Sequence, residues 1–234
     1  MLTLAFETSA KAASVALLDG EKLLGESYQN TGLTHSQTLL RMAQDLIANC
    51  GYTPQQVQAV AVAAGPGSFT GVRIGVAAAK GFAWGGELPC CGVSTLEAMA
   101  LNLGVNQGFV LPVMDARRSQ VYTALFYAKD GRLTRMTEDR AISLQELEQE
   151  IKNLTESIFL VGDGSLLCYN TLKEGIPGLV CPPEHRMHQR AAGVGLAAAA
   201  MIAEGKACDG VALTPNYLRM SQAERERMER QQRM

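Results

Sequence analysis

The 234-residue chain carries 47% hydrophobic and 19% charged side chains, enough to bury one large core or two domains of about 100 residues each. A formal charge of -2 with a pI near 6.0 argues against a stand-alone nucleic-acid binder, because phosphate contact is carried by clustered lysines and arginines; an RNA substrate would need a partner to supply most of the binding. The six cysteines, Cys50, Cys90, Cys91, Cys168, Cys181 and Cys208, form no C-x-x-C pair and no metal spacing, as expected of reduced thiols in a cytoplasmic protein.

Residues 2 to 8 (LTLAFET) and 12 to 18 (AASVALL) are apolar runs of strand length. The first lacks a basic leader, and Glu7 interrupts it well short of the roughly 18 residues a membrane span requires, so neither a signal peptide nor a membrane anchor is expected. Asp19-Gly20 and a third run, 21 to 28 (EKLLGESY), predict a hairpin, since a type I′ turn needs positive φ at both central residues. The period then changes. Leu39, Met42, Ala43, Leu46, Ile47 and Cys50 recur at helical spacing and Gly51 closes the segment, predicting a helix over 34 to 50. Residues 57 to 64 (VQAVAVAA) return to a buried strand. GPGSFTG then opens a helix over 70 to 86, and a strand at 89 to 93 precedes a third helix from Ser94.

The second half repeats this grammar with strand 109 to 114 (FVLPVM), a turn at Asp115 to Arg118, strand 120 to 128 (QVYTALFYA), Asp130-Gly131 and a further strand. Helices are predicted at 143 to 153, 165 to 174 and 189 to 204, with strand 158 to 162 (IFLVG) between the first two. In both halves an acidic residue, Glu7 or Asp115, ends the first strand before a short turn. The pattern predicts a duplicated β-β-β-α-β-α unit. Glycines near residue 105 divide it into domains over 1–105 and 106–218, followed by a polar tail over 219–234, frayed or disordered.

Gly65-Pro66-Gly67-Ser68-Phe69-Thr70-Gly71 leads into a helix N-terminus, where free N–H groups could hold an anion. It matches neither nucleotide fingerprint, because its third glycine is one residue late for G-x-G-x-x-G and no Lys-Ser or Lys-Thr follows. The alternative is a structural turn with Ser68 or Thr70 as cap. Beyond it, Gly71, Gly75, Ala79 and Ala83 recur at intervals of four, a ladder of small residues that lets another backbone approach closely. That backbone belongs either to the protein's own sheet or to a second subunit. His185 and His188 form an H-x-x-H beside Pro182-Pro183 without a third ligand, a poor metal site.

Three segments, LAFETSAKAASVALL at 4 to 18, AGPGSFTGVRIGVAAAKGFA at 64 to 83 and PNYLR at 215 to 219, are similar to the threonylcarbamoyl-transfer group of the sugar kinase and actin superfamily. MDARRSQVY at 114 to 122 makes the chain resemble the TsaB (YeaZ) family within it, and the resemblance spans nearly all but the tail. It implies an α/β fold of two RNase-H-like, actin-like halves, each with a mixed five-stranded sheet. It also implies a non-catalytic cytoplasmic subunit needed for threonylcarbamoyl transfer to N6 of adenosine 37 in tRNAs reading codons that begin with A.

The partners implied are the catalytic paralogue TsaD and the subunit TsaE, with a homodimer when the chain is alone and tRNA reached only through the complex. In this family the helices at 34 to 50 and 70 to 86 build the subunit interface, which implies His35, Leu39, Met42 and Leu46 on the first and Gly71, Val72, Gly75, Val76, Ala79 and Phe82 on the second. No catalytic residue and no metal ligand are expected, since Thr95 and Met99 stand where the catalytic relatives carry an H-x-x-x-H. Nucleotide or anion contacts, if made, fall on Thr8, Ser9, Lys11, Arg117, Arg118, Gly162 and Gly164, although Asp115 would repel a phosphate and the two arginines could equally face a partner or solvent. No cofactor is expected on the chain alone, with ATP or ADP restricted to the interface with TsaD. The rival readings are an autonomous metallopeptidase or ATP-dependent enzyme, and a homodimeric scaffold of another pathway.

Overall fold

In the computed structural model of the chain, which describes residues 1–117 and 119–219, the first half builds one sheet around its first strand. β1 (Leu2–Glu7), β2 (Ala13–Asp19) and β3 (Lys22–Gln29) pair antiparallel, and β4 (Ala59–Gly65) and β5 (Cys90–Ser94) extend the sheet in parallel, in the order β3-β2-β1-β4-β5. All residues of β1 and β4 are buried, because helices cover both faces and leave no polar side to alternate. The first hairpin turns one residue later than the Asp-Gly pair suggests. Its connection is Gly20-Glu21, with Gly20 at φ 59°, whereas Asp130 and Gly131 do form the type I′ pair at φ 52° and 74°.

α1 (His35–Asn49) and α2 (Phe69–Trp84) cover one face of this sheet, where Leu39, Met42, Leu46, Val72 and Val76 join Phe6, Leu17 and Val62 in one core. α3 (Thr95–Leu103) and α7 (Ala191–Ala203) cover the other face. α7 lies far along the chain, yet it packs on the first sheet.

The second sheet is formed by β6 (Gly108–Asp115), β7 (Gln120–Thr123), β8 (Phe126–Lys129), β9 (Arg132–Arg135), β10 (Arg140–Ser143), β11 (Ile158–Val161) and β12 (Leu179–Val180). Its main path, β10-β7-β6-β11-β12, repeats the first sheet's plan of antiparallel strands on one side of the leading strand and parallel strands on the other. The duplicated actin-like α/β fold is therefore present, but with seven strands here instead of five. The single strand expected over 120 to 128 breaks at Ala124-Leu125, so that β7 pairs with β10 while β8 pairs with β6 and β9. Thr137 holds the break open. Its hydroxyl accepts the Leu125 N–H at 2.8 Å, and the Leu125 carbonyl accepts the N–H groups of Met136 and Thr137.

α4 (Leu144–Ile151) and α5 (Ser165–Leu172) pack on one face of this sheet, and α3 meets the other through Leu96, Met99 and Leu103. α6 (Glu184–Met187) is a single turn before α7. α3 is thus enclosed by both halves, which fixes how the two sheets face each other. Among the described residues, no helix is long and apolar enough to cross a membrane. Arg118 and the tail from residue 220 onward lie outside the described residues.

Candidate functional site

The C-terminal ends of β1 and β6 open on a cleft of about 580 Å³ lined by both halves, including Ser9, Lys11, Asp115, Arg117 and Asp163. Beneath it the floor is acidic. Glu7 ends β1 fully buried, with one carboxylate oxygen accepting the Ser9 N–H at 2.6 Å and the other without a partner. Burial holds its carboxyl up at about 7, against the hydrogen bonds from Ser9, and the charge of Asp163 adds to the rise. Asp163 is itself pushed up by burial, against an amide hydrogen bond from Gln189 at 3.1 Å, and the charge of Asp115 raises it further. Around the cleft itself Asp115 and Asp163 stand with the cationic Lys11, Arg117 and Arg219.

Three of the seven residues expected as anion contacts, Thr8, Gly162 and Gly164, are committed to packing within the chain. The buried Thr8 hydroxyl donates to the Gly71 carbonyl at 2.7 Å. A Cβ on Gly162, at φ 111°, would lie 2.2 Å from the Val113 carbonyl oxygen, and one on Gly164 would lie 3.1 Å from the same atom. Both glycines let α5 start hard against β6, and neither lines the cleft. Their assignment as anion contacts is corrected on that ground. Ser9, Lys11 and Arg117 do line the cleft. Arg117 sits at φ 62° with its N–H held by the Asp115 carboxylate at 2.7 Å.

The GPGSFTG segment turns from β4 into α2 and lines the cleft over residues 66 to 70. The Ser68 N–H donates to the Ser9 carbonyl at 2.6 Å, and the Ser68 hydroxyl caps α2 by accepting the Gly71 N–H at 3.3 Å. Gly67 is required because a Cβ there would stand 2.5 Å from the Ser9 carbonyl oxygen.

The C-terminal strap, residues 214 to 219, closes one side of the cleft, a role its sequence did not disclose. The Asn216 N–H donates to the Ala64 carbonyl at 2.7 Å, and Tyr217 stacks on Phe69 with centroids 4.3 Å apart. Arg73 lies 3.9 Å over the Phe69 ring and donates to the Tyr217 hydroxyl at 2.8 Å. Arg219 then reaches the Ala116 carbonyl at 2.8 Å, so the strap joins the two halves.

A second candidate site is the outer surface of α1 and α2, and here the interface prediction needs correction. Leu39, Met42, Leu46, Val72, Val76 and Ala79 are buried against the protein's own sheet. A Cβ on Gly71 would meet the Thr8 carbonyl oxygen at 2.1 Å, and one on Gly75 the Thr8 hydroxyl at 2.5 Å. The small-residue ladder serves close packing of α2 on β1 and β4. His35 is half-buried, its Nε2 hydrogen-bonded to the Ala10 carbonyl at 2.8 Å. Of the proposed interface residues on α2, only Phe82 keeps appreciable exposure. Beside it the helices present a different set, with Leu40 57% and Trp84 79% exposed, Ala77 and Gly81 exposed and Ile74 and Ala78 half-buried.

Thr95 and Met99 are both buried in the core around α3. Among the described residues no three His, Cys, Asp or Glu side chains are grouped to hold a metal ion.

Comparison with known proteins accounts for this architecture. Residues 29–226 match the family model described as TsaD, tRNA N6-adenosine threonylcarbamoyltransferase. The chain is 32% identical to the tRNA threonylcarbamoyladenosine biosynthesis protein TsaB of Bacillus subtilis, over 99% of this chain and 100% of that protein. It is 34% identical to the TsaB of Escherichia coli, over 94% of this chain and 95% of that protein. Among solved structures it is similar to YeaZ from Pseudomonas aeruginosa, with a TM-score of 0.76, 25% identity, and 93% of this chain and 99% of that chain covered. Component A of the Acidaminococcus fermentans (R)-2-hydroxyglutaryl-CoA dehydratase shares the fold alone, at a TM-score of 0.53 and 12% identity, with 87% of this chain and 99% of that chain covered. The chain belongs to the TsaB/YeaZ family of tRNA threonylcarbamoyladenosine biosynthesis proteins.

Proposed function

We propose that this protein is a non-catalytic, cytoplasmic subunit of the complex that transfers a threonylcarbamoyl group to N6 of adenosine 37 in tRNAs reading codons that begin with A, and that it acts by docking and activating TsaD. The observation that carries this reading is the outer face of α2, where Trp84 is 79% exposed on the same stripe as the exposed small residues Ala77 and Gly81, with Leu40 of α1 57% exposed as well. An exposed aromatic flanked by small side chains is the kind of anchor that protein interfaces bury. The cleft supports the non-catalytic part. Asp115 and Asp163 in its lining oppose a bare polyphosphate, which favours a nucleotide bound at the interface with TsaD over one held by this chain alone, with TsaE acting on the same complex. Transfer RNA is reached through the complex, since the net charge of -2 provides little attraction for its backbone.

The test is gel filtration of the protein with TsaD from the same cell. The wild type is expected to co-elute as a complex that supports tRNA modification, and Trp84→Glu to remain folded while losing about two orders of magnitude or more in affinity. A Trp84→Glu protein that still bound TsaD and supported modification would remove this face from the interface. The same face favours self-association when TsaD is absent, so the Trp84→Glu protein should also run as a monomer.

A further inference from the structure

Beyond α7 the chain turns back along the outer edge of β5, where Cys90 and Cys208 meet. The Cys90 N–H donates to the Cys208 carbonyl at 2.7 Å, and the Cys208 N–H to the Cys90 carbonyl at 2.8 Å, forming an isolated antiparallel bridge. Residues that exchange both hydrogen bonds stand directly opposite, with Cα atoms about 5.5 Å apart and side chains on one face. That lies within the roughly 4.4 to 6.8 Å that disulfides span. Both side chains enter the core beneath α1 and α2, Cys90 fully buried and Cys208 half-buried, whereas Cys91 belongs to the core on the opposite face beneath α7. All three are free thiols. The bridge matters because it lies at the base of the strap. Eight residues on from Cys208, Asn216 is tied to Ala64, and Arg219 reaches the second half.

We propose that Cys90 and Cys208 form a reversible disulfide under oxidising conditions, fastening the base of the C-terminal strap to β5. Cys208 is the member an oxidant reaches. With oxidised glutathione, the Cys208 thiol gives up its proton, and its sulfur attacks one glutathione sulfur and releases the first glutathione as a thiol. Cys90 then loses its proton and displaces the second glutathione from Cys208, so that one disulfide and two thiols become one disulfide and two thiols with the partners exchanged. Burial pushes the Cys90 thiol above its ordinary range, with Cys208 and Asp209 adding to the rise, so the resting form is the dithiol. Cβ atoms of a hydrogen-bonded pair also stand further apart than a relaxed disulfide prefers, which makes the bond easily reduced.

The test uses the full-length protein, oxidised with glutathione disulfide, alkylated and digested with trypsin without reduction. Trypsin leaves Cys90 and Cys91 together on residues 81–117, and Cys208 on residues 207–219. The expected result is a linked pair of these peptides lacking two hydrogens, with fragmentation placing the bond on Cys90, and release of the pair by reduced glutathione. Cys208→Ser abolishes the link. Cys91→Ser leaves it in place, and fragmentation of the wild-type peptides makes the same distinction should that variant not fold. A bond to Cys91, a Cys208 that carries only glutathione, peptides that stay unlinked even with diamide as oxidant, or a link that resists reduced glutathione would each overturn the proposal.

Discussion

α2 carries small residues on two faces, and the two have opposite fates. On the inner face Gly71, Gly75 and Ala79 lie against Thr8 and β4 so closely that a single added carbon at either glycine would collide. On the outer face Ala77 and Gly81 are exposed, and a Cβ at Gly81 would meet nothing within 4 Å. Spacing of four residues is common to both ladders, so spacing alone cannot say which backbone is being approached. What separates them is the company each keeps: Val72 and Val76 flank the inner ladder, and Arg73 and Trp84 flank the outer one. A small residue on a buried stripe admits the chain's own sheet; a small residue beside an exposed aromatic leaves room for another molecule.

The largest effect expected from this contrast is at Gly75. Gly75→Arg places a guanidinium where the Thr8 hydroxyl stands 2.5 Å from a Cβ and Val62 follows at 3.1 Å. Overpacking and an unpaired buried charge together should cost on the order of 5 kcal/mol, about the whole stability of a marginal domain. Circular dichroism melting should show no cooperative native transition, and a folded Gly75→Arg protein would break the assignment of this stripe to the core.

The buried side of the same sheet also holds charge, and there the contrast is between Glu7, which lacks a partner for one oxygen, and Glu26, which lacks none. Glu7 should make stability depend on pH. Its carboxyl is raised to about 7 when folded, against an ordinary 4.5, so across that interval the folded state keeps a proton that the unfolded state gives up. Unfolding then releases protons, and stability falls as pH rises from about 4.5, with the full loss, on the order of 3 kcal/mol, reached above about 7. Urea midpoints should accordingly be higher at about pH 5 than at about pH 8. Glu7→Gln keeps an oxygen for the Ser9 N–H and removes the charge, so it should flatten that difference and raise the midpoint at the higher pH. An unchanged pH dependence would assign it to other groups.

Glu26 caps α7 from β3. One carboxylate oxygen accepts from the Ser14 hydroxyl at 2.9 Å and the Ala192 N–H at 3.1 Å, the other pairs with Arg190 at 2.9 Å, and Ser14 accepts the Ala191 N–H. The helix has no side-chain cap of its own, so Glu26→Ala should cost about 2 kcal/mol in a thermal or urea melt. Glu26→Gln should recover part of that, because the amide oxygen still accepts at the helix N-terminus.

The sequence made some of these features plain and hid others for physical reasons. β1, β2 and β4 were legible because strands buried on both faces are unbroken apolar runs, and α1 because its apolar positions recur at helical spacing. The break at Ala124-Leu125 was hidden, since both residues continue an apolar run and the hydroxyl that holds the break belongs to Thr137. Glu26 and Arg190 lie 164 positions apart, and no local pattern links them. At the cleft, the acidic ends of the leading strands could be read directly. The third acid, Asp163, stood unnoticed in a turn judged by its glycines, and the strap was visible as a motif without its place. Leu39, Met42, Leu46, Gly71, Val72, Gly75, Val76 and Ala79 were misread as interface residues because the buried stripes of α1 and α2 carry the clearer period, and a partner can use only what the sheet leaves uncovered.

The smallest change in stability, and the most discriminating, is expected at Gly81. The residue lies in the fourth turn of α2 with open space around its Cβ position, so Gly81→Arg meets no steric obstacle. Arginine favours a helix over glycine by about 0.8 kcal/mol, because it loses less backbone freedom on folding. The isolated protein should therefore melt slightly higher than the wild type. On the outer face, however, the same side chain would fill the space beside Trp84 that the proposed partner needs, and its guanidinium would be desolvated without a counter-charge. Binding to TsaD should weaken by about two orders of magnitude or more. The two expected effects have opposite signs, a more stable subunit and a weaker complex, which a generally damaging substitution cannot produce. Thermal melting of the subunit and titration with TsaD read them separately. A variant that gained stability and bound TsaD as before would show that the outer ladder is merely exposed, and the contrast between the two faces of α2 would then concern packing alone.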